Sequence, residues 1–204
     1  MKSKLHTILF LLGLCCASVV SLTVQAQDFL EPDNRFMGKD NHDEYADELK
    51  QYLFPEEWSI VYLSVPSFSG EYGLFLLFDS NGPMLVYNRF KSNYFYYRSS
   101  RNKNETPITV SRDTLRISTE QTDRLTAIIT DAINNAVKPD GLGRLGFDGT
   151  NYYFMLPDKM AKIWSPEKNS ECEILVLEFE NLRKLFGSEP WSSRRLRLRL
   201  KKQI

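Results

Sequence analysis

Apolar residues recur at the spacing of one helix face in three segments of the chain. The first segment begins at Asp43 and ends before Pro55, which cannot continue a helix. The other two follow Ser-x-x-Gln and Ser-x-x-Glu sequences at 118–121 and 170–173, the pattern of a capping box. Gly187 ends the third segment. The pattern predicts three helices that each bury one face.

Short runs rich in aromatic and β-branched residues lie between these helices and predict strands. The sequence from Asp79 to Gly82 indicates a turn, because Asn and Gly tolerate the positive φ of tight hairpins. A second hairpin is expected to turn at residues 157–159. The predicted strands cover residues 58–65, 72–78, 84–90, 94–98, 151–156 and 160–164, with one more strand ending near 115–117.

The order helix, strands, helix, hairpin, helix predicts an α+β fold. We expect a mainly antiparallel sheet, built from a meander plus a second hairpin, with about three helices packed on one side. The expected organisation is a signal peptide at residues 1–26, a polar leader at 27–42, a single domain at 43–190 and a basic tail or edge strand at 191–204.

The N-terminal segment has the features of a secretory signal peptide. A short basic start precedes an uncharged stretch, and residues 24–26 read Val-Gln-Ala, a small-residue cleavage pattern. The uncharged stretch is also long enough for an uncleaved membrane anchor. After cleavage Cys172 is the one remaining cysteine, so no internal disulfide can form. We therefore expect an exported protein of a bacterial periplasm or cell surface, which excludes most nucleotide-dependent functions.

The charge is distributed unevenly along the chain. Residues 27–193 carry 18 basic and 26 acidic side chains, a net charge of −8, whereas the last eleven residues carry six cations. Arginines and leucines alternate in this tail with the period of a β-strand. The tail is therefore predicted as an edge strand, as a disordered tail, or as a binding segment in which Arg194, Arg197 and Arg199 contact an anionic lipid, a cell-wall polymer or an acidic protein.

Aromatic residues cluster at 94–97 and again at 152–154. Because alternate residues of a strand face opposite sides, about half of these rings should point away from a core. Tyr94 and Tyr96 are the candidate contact residues on such an exposed sheet face, which could bind a glycan or a protein. Cross-strand aromatic pairing is the alternative interpretation of the same clusters.

Two short motifs and one histidine match parts of catalytic or cofactor-binding signatures without their context. The GxGxxG at 141–146 follows a helix and precedes a strand, the reverse of a dinucleotide-binding site. Ser165 and Lys168 match the SxxK of cell-wall serine enzymes, but the Lys-Thr-Gly and Ser-Asp-Asn motifs of those enzymes do not occur. His42 would need distant partners to form a catalytic triad. No catalytic residue, metal site or cofactor is therefore predicted.

One segment carries a resemblance to other sequences. Residues 147–154 read Phe-Asp-Gly-Thr-Asn-Tyr-Tyr-Phe, and residues 162–167 read Lys-Ile-Trp-Ser-Pro-Glu before a helix. This segment resembles one found in uncharacterised exported bacterial proteins, in which an Asp-Gly-Thr turn leads an aromatic strand. The resemblance covers residues 147 to about 186 and implies a hairpin followed by a helix, with no implied activity.

Together these features predict an exported, non-catalytic binding or structural module that contacts a glycan, an anionic polymer or a protein. Nucleic acid is not expected as a partner, and a membrane would be contacted only through an uncleaved signal or the basic tail. One alternative is a cell-wall or glycan hydrolase with two carboxylates, for which Glu56 and Glu57 beside Trp58 are the most suggestive local pair. Another is an inhibitor of an exported protease or lysozyme that presents a loop such as residues 99–105.

Overall fold

A single antiparallel sheet organises the part of the chain that the computed structural model describes, residues 28–37, 43–100, 108–139 and 148–187. Seven strands lie in the order β1-β7-β6-β2-β3-β4-β5. The predicted α+β class and antiparallel sheet are confirmed. The strands are β1 (Glu31–Asp33), β2 (Ile60–Pro66), β3 (Tyr72–Asp79), β4 (Gly82–Phe90), β5 (Val110–Arg116), β6 (Thr150–Leu156) and β7 (Lys159–Trp164).

Helices cover both faces of this sheet. Helices α3 (Thr119–Asn134) and α4 (Glu171–Arg183) pack on one face, and a 3-10 turn at Lys184–Gly187 follows α4. Helix α1 (Glu44–Leu53) and the short α2 (Tyr94–Ser99) pack on the other face. The expectation that the helices lie on one side is therefore wrong.

The alternation of side chains along the central strands explains the two-sided cover. On β2, Tyr62 joins the core under α3 and α4, and its neighbour Leu63 joins the core under α1. On β6, Phe154 and Met155 divide between the same two cores. All four side chains are at most 1% exposed. Because successive positions are apolar, each face of the sheet has to be covered.

The segment expected to be a polar leader contributes to the sheet. Strand β1 pairs antiparallel with β7, and Lys162 Nζ lies 2.9 Å from Asp33 Oδ2. Leu30 and Phe36, on either side of β1, are both buried. The backbone carbonyl of Leu30 also accepts a hydrogen bond from Val137 at the end of α3. Sequence periodicity misses this strand because three residues are too few to show a pattern.

Residues 94–98, predicted as a strand, form helix α2 instead. Asn93 caps this helix, and its side-chain oxygen accepts a hydrogen bond from the Tyr96 backbone N–H at 2.9 Å. Aromatic residues favour strands on average, but tertiary contacts decide the backbone conformation in a given structure. Consecutive rings on a helix point in different directions. Tyr94 and Tyr96 therefore do not share one exposed face, as they would on a strand.

The two capping boxes predicted from the sequence are formed to different extents in the structure. Ser118 forms both bonds of a capping box with Gln121. Ser170 accepts a hydrogen bond from the Glu173 backbone N–H, but the Glu173 side chain accepts from the Asn169 N–H instead of reaching Ser170. The second capping box is therefore only half formed.

Replacing Ser118 with alanine is expected to lower the free energy of unfolding by about 1 kcal/mol, because the first turn of α3 loses its side-chain acceptor. Urea denaturation measures this change. Ser118→Asn should retain most of the stability, since asparagine caps helices as well as serine. Equal losses in the two variants would contradict a role for the cap.

Candidate functional site

A groove of about 400 Å³ lies where the end of β2, helix α2 and the start of β6 meet. We call it the aromatic groove, because five of its lining residues carry aromatic rings. Volumes of this size are typical of small-ligand sites. The lining residues are Arg35, Tyr45, Val65, Pro66, Ser67, Phe68, Phe95, Tyr96, Asp148, Asn151 and Tyr153.

Three of these rings are largely open to solvent. Phe68 is 67% exposed, Phe95 is 50% exposed and Tyr96 is 52% exposed. The Phe95 and Tyr96 rings lie edge to face with centroids 6.0 Å apart, and Phe95 also contacts the Tyr45 ring at 5.7 Å. Large apolar side chains clustered at a concave surface mark binding sites more often than scattered ones do.

A buried carboxylate holds α2 in place beside the groove. Glu71 has no exposed surface, and its oxygens accept hydrogen bonds from the backbone N–H groups of Tyr94 at 2.7 Å and Phe95 at 3.1 Å. The Tyr45 hydroxyl donates a third bond at 2.6 Å. Burial raises the pKa of Tyr45 well above its usual value, and the neighbouring Glu71 carboxylate raises it further. The hydroxyl therefore stays protonated and remains a donor.

Asn93 connects the helix to the loop that carries Phe68. Its side-chain nitrogen donates to the backbone carbonyls of Ser69 at 2.8 Å and Pro66 at 3.2 Å, while its oxygen caps α2. One buried side chain thus fixes the loop and the helix relative to each other. The exposed rings on both elements are held by the same network, so the groove is preorganised for a ligand.

Arg35 and Tyr153 form another part of the groove wall. Arg35 Nη1 donates to the Tyr153 hydroxyl at 3.2 Å, and Arg35 Nε lies 3.4 Å from Asp43 Oδ2. Burial raises the pKa of Tyr153 to about 12, and the nearby arginine charge offsets part of the shift. The Tyr153 hydroxyl is therefore neutral near pH 7. The Arg35 side chain remains 39% exposed and can still donate to a ligand.

The turn before β6 places an acidic side chain at the groove. The Ser67 hydroxyl donates to the Gly149 carbonyl at 2.9 Å and accepts from the Gly149 N–H at 3.2 Å. A Cβ on Gly149 would lie 2.8 Å from the Trp164 ring, so only glycine fits at this close approach. These contacts fix the position of exposed Asp148, which lines the groove next to Ser67.

The structure separates the two tyrosines that the sequence analysis selected. Tyr96 lines the groove and is exposed, as expected of a contact residue. Tyr94 is only 5% exposed and stacks on Phe90 with ring centroids 4.9 Å apart, so it supports α2 from below. The expectation of an exposed Tyr94 on a sheet face is therefore wrong. The remaining candidates, Arg194, Arg197 and Arg199, lie outside the described residues.

Several groove residues were not selected from the sequence. Phe68 lies in a polar loop, and Arg35 lies in the segment expected to be a leader, so neither belongs to a periodic pattern. Asp148 carried a signal, because it opens the Asp-Gly-Thr turn of the resembling segment. Asn93, which supports the groove without lining it, also carried a signal, since asparagine is a preferred helix N-cap residue.

The structure also describes most of the other residues that were considered for a chemical role. Cys172 is buried, its thiol donates to the Asp28 carbonyl at 3.5 Å, and burial raises its pKa to about 11. Glu56 and Glu57 are exposed, and the Trp58 ring packs edge-on against Phe54 at 6.1 Å. His42 lies outside the described residues. Within the described part of the chain, no cluster of three or more histidine, cysteine or acidic residues could hold a metal ion.

Comparison with protein-family models, with curated proteins and with solved structures finds no match for this chain. Among the described helices, none combines the length and the apolar character needed to cross a membrane. The functional argument therefore depends on the geometry and chemistry of the aromatic groove.

Proposed function

We propose that this chain is an exported binding protein that takes up a short neutral glycan in the aromatic groove. The observation that carries the proposal is the exposure of three rings, Phe68, Phe95 and Tyr96, on elements that Glu71 and Asn93 hold rigidly. A ligand that covers these rings gains free energy, because apolar surface is removed from water. The signal-like N-terminus of the sequence supports the exported location.

The mixture of groups in the groove matches the chemistry of a sugar. A pyranose ring offers apolar C–H faces, which pack on aromatic rings, and a rim of hydroxyls, which need hydrogen-bond partners. Arg35, Asp148 and Asn151 supply donors and acceptors beside the rings. A site with apolar walls and a few polar groups is the usual design for a small ligand.

Charge favours a neutral ligand. The charged side chains that line the groove, among the described residues, are one arginine and one aspartate, Arg35 and Asp148. Arg35 is already paired with Asp43. A ligand with a large net charge would find no excess of opposite charge here, so a neutral oligosaccharide fits better than an anionic polymer.

The alternative functions receive less support from the groove. Glycoside hydrolysis usually needs two carboxyl groups that flank the scissile bond. Asp148 is the one acidic side chain among the described residues that line the groove. The loop suggested for an inhibitor, residues 99–105, lies mostly outside the described residues. Binding without hydrolysis is therefore the function that these observations favour.

Isothermal titration calorimetry tests the proposal. The ligands are soluble neutral oligosaccharides, including N-acetylhexosamine and hexose oligomers. We expect at least one of them to bind, and Phe68→Ala, Phe95→Ala and Tyr96→Ala each to weaken binding by about tenfold. That factor corresponds to about 1.4 kcal/mol for the lost ring contact. Stability should change little, because these side chains are largely exposed.

Phe78→Ala is the matched control, since Phe78 is 57% exposed but does not line the groove. It should bind the oligosaccharide as tightly as the unchanged protein. The proposal is wrong if no neutral oligosaccharide binds, or if the three groove variants bind as well as Phe78→Ala.

A further inference from the structure

The helical layer formed by α3 and α4 is strongly acidic. Together the two helices carry seven acidic and two basic side chains, a net charge of −5. Both helices pack on the face of the sheet opposite to α1 and α2. This layer is therefore distinct from the aromatic groove, and its negative charge favours a cationic partner.

A cleft of about 320 Å³ opens between the ends of these helices and the segment before β1. Asp28, Asp131 and Glu171 line it, together with the apolar side chains of Ile128 and Leu175. No lysine or arginine is among its described lining residues. We call it the acidic cleft, and its charge and apolar lining favour a ligand that combines cations with apolar groups.

The apolar surface continues beyond the cleft along α4. Ile174 is 53% exposed and Leu177 is 46% exposed, and they lie three residues apart on one side of the helix. Glu171 precedes them by one helical turn. The outer side of α4 thus offers two uncovered aliphatic side chains next to the acids of the cleft.

The C-terminal tail of the same chain has the complementary pattern. Residues 194–202 read Arg-Arg-Leu-Arg-Leu-Arg-Leu-Lys-Lys, with six cations and three leucines in nine positions. In an extended segment, alternating residues face opposite sides. One side of this segment would present leucines and the other would present arginines, which matches an apolar strip bordered by acids.

The tail is long enough to reach the cleft. The described part of the chain ends at Gly187, about 25 Å along the helical segment from Cys172 in the cleft, at about 1.5 Å per residue in α4 and about 2 Å per residue in the 3-10 turn. Seven extended residues from Gly187 to Arg194 span up to about 25 Å. Residues 194–202 can therefore lie back along α4 and reach the cleft within one chain.

We propose that the basic tail, residues 194–202, docks on its own chain along α4 and into the acidic cleft. The leucines cover Ile174 and Leu177, and the cations pair with the carboxylates of Asp131 and Glu171. The acidic body and the basic tail then neutralise each other, which explains why both occur in one chain. The cleft and the groove lie on opposite faces of the sheet. An experiment that contradicts tail docking therefore does not contradict glycan binding, and the reverse also holds.

Hydrogen exchange of the tail amides in the full chain tests this proposal, with a synthetic peptide of residues 190–204 as the reference. At low salt we expect the tail to exchange about tenfold more slowly than the peptide. At about 1 M salt, where charges are screened beyond about 3 Å, much of this protection should disappear. The Asp131→Lys/Glu171→Lys variant should lose the protection at low salt.

The Glu56→Lys/Glu57→Lys variant is the control, because it reverses two exposed charges outside the cleft and should keep the protection. Adding Arg197→Glu and Arg199→Glu to the cleft variant should restore it by exchanging the charges. The proposal is overturned if the tail exchanges as fast as the peptide, or if cleft and control variants behave alike. Protection that rises with protein concentration would also overturn it, since the tail would then dock on a second copy.

Discussion

Replacing Glu71 with alanine is expected to lower the free energy of unfolding by about 3–5 kcal/mol. The variant leaves three donors, the N–H groups of Tyr94 and Phe95 and the Tyr45 hydroxyl, without their acceptor. An unsatisfied buried donor costs about 1–3 kcal/mol. A typical domain is stable by only about 5–15 kcal/mol, so this loss is a large part of the total. Urea denaturation gives the change directly, and we expect a fall in Tm of about 10 °C.

Two further variants separate the hydrogen bonds from the removal of a side chain. Glu71→Gln keeps the shape and one acceptor oxygen, so it should cost about 1–2 kcal/mol. Glu44→Ala removes a carboxylate whose side chain is 85% exposed on α1, and it should leave stability unchanged. If Glu71→Ala is no less stable than Glu44→Ala, the carboxylate does not anchor α2. Glu71→Ala should also weaken glycan binding, because Phe95 and Tyr96 lie on α2.

Stability is expected to fall steeply as the pH rises above about 10. Tyr62 and Tyr153 are 1% and 2% exposed in the folded chain. Burial raises the pKa of Tyr62 far above its usual value, and the Glu180 carboxylate that accepts its hydrogen bond at 2.8 Å raises it further. Burial raises the pKa of Tyr153 to about 12. In the unfolded chain both hydroxyls titrate near the ordinary pKa of about 10.

The direction of this change in stability follows from the number of protons that the folded and unfolded chains bind. Above pH 10 the unfolded chain loses tyrosine protons that the folded chain keeps, so each further pH unit favours unfolding by about 1.4 kcal/mol per tyrosine until the folded pKa is reached. The two residues together should lower stability by about 3 kcal/mol between pH 9 and pH 11. Below pH 10 their contribution is fully present. Tyr72 shares the Glu180 carboxylate and also has a raised pKa, so it acts in the same direction.

Urea denaturation at pH 8, 9, 10 and 11, with tyrosinate absorbance near 295 nm, measures this dependence. We expect tyrosinate absorbance from the buried residues to appear together with unfolding. Tyr62→Phe should make the decline above pH 10 shallower, because one titrating group is removed. Tyr96→Phe is the control, because it removes the hydroxyl of an exposed ring instead of a buried one. A flat profile between pH 9 and pH 11 would contradict the burial argument.

The fold class was predictable because it depends on local patterns. Helices α1, α3 and α4 can be predicted from the spacing of their apolar residues and from their N-caps. The two hairpins can be predicted from their turn residues. The distribution of helices over the two faces was not predictable in the same way. Apolar residues at successive strand positions show that both faces are covered, but not which helix covers each face.

The residues of the aromatic groove were also only partly predictable from the sequence. The sequence drew attention to the aromatic cluster at 94–97 and selected Tyr96, which lines the groove. It placed this cluster on a strand, because aromatic composition favours strands and the decisive partner, Glu71, lies 23 residues away from Tyr94. Phe68 and Arg35 join the groove through loop contacts that leave no periodic trace.

The sequence by itself therefore determined the α+β class, the serine N-caps of α3 and α4, the hairpin turns, the signal-like N-terminus and the separation of an acidic body from a basic tail. Only the tertiary structure decided that residues 94–99 are helical, that β1 completes the sheet, and that distant loops meet in the aromatic groove. The physical reason is the range of the interactions. Propensity, capping and turn chemistry act within a few residues, whereas the Glu71 and Asn93 hydrogen bonds join segments that only folding brings together.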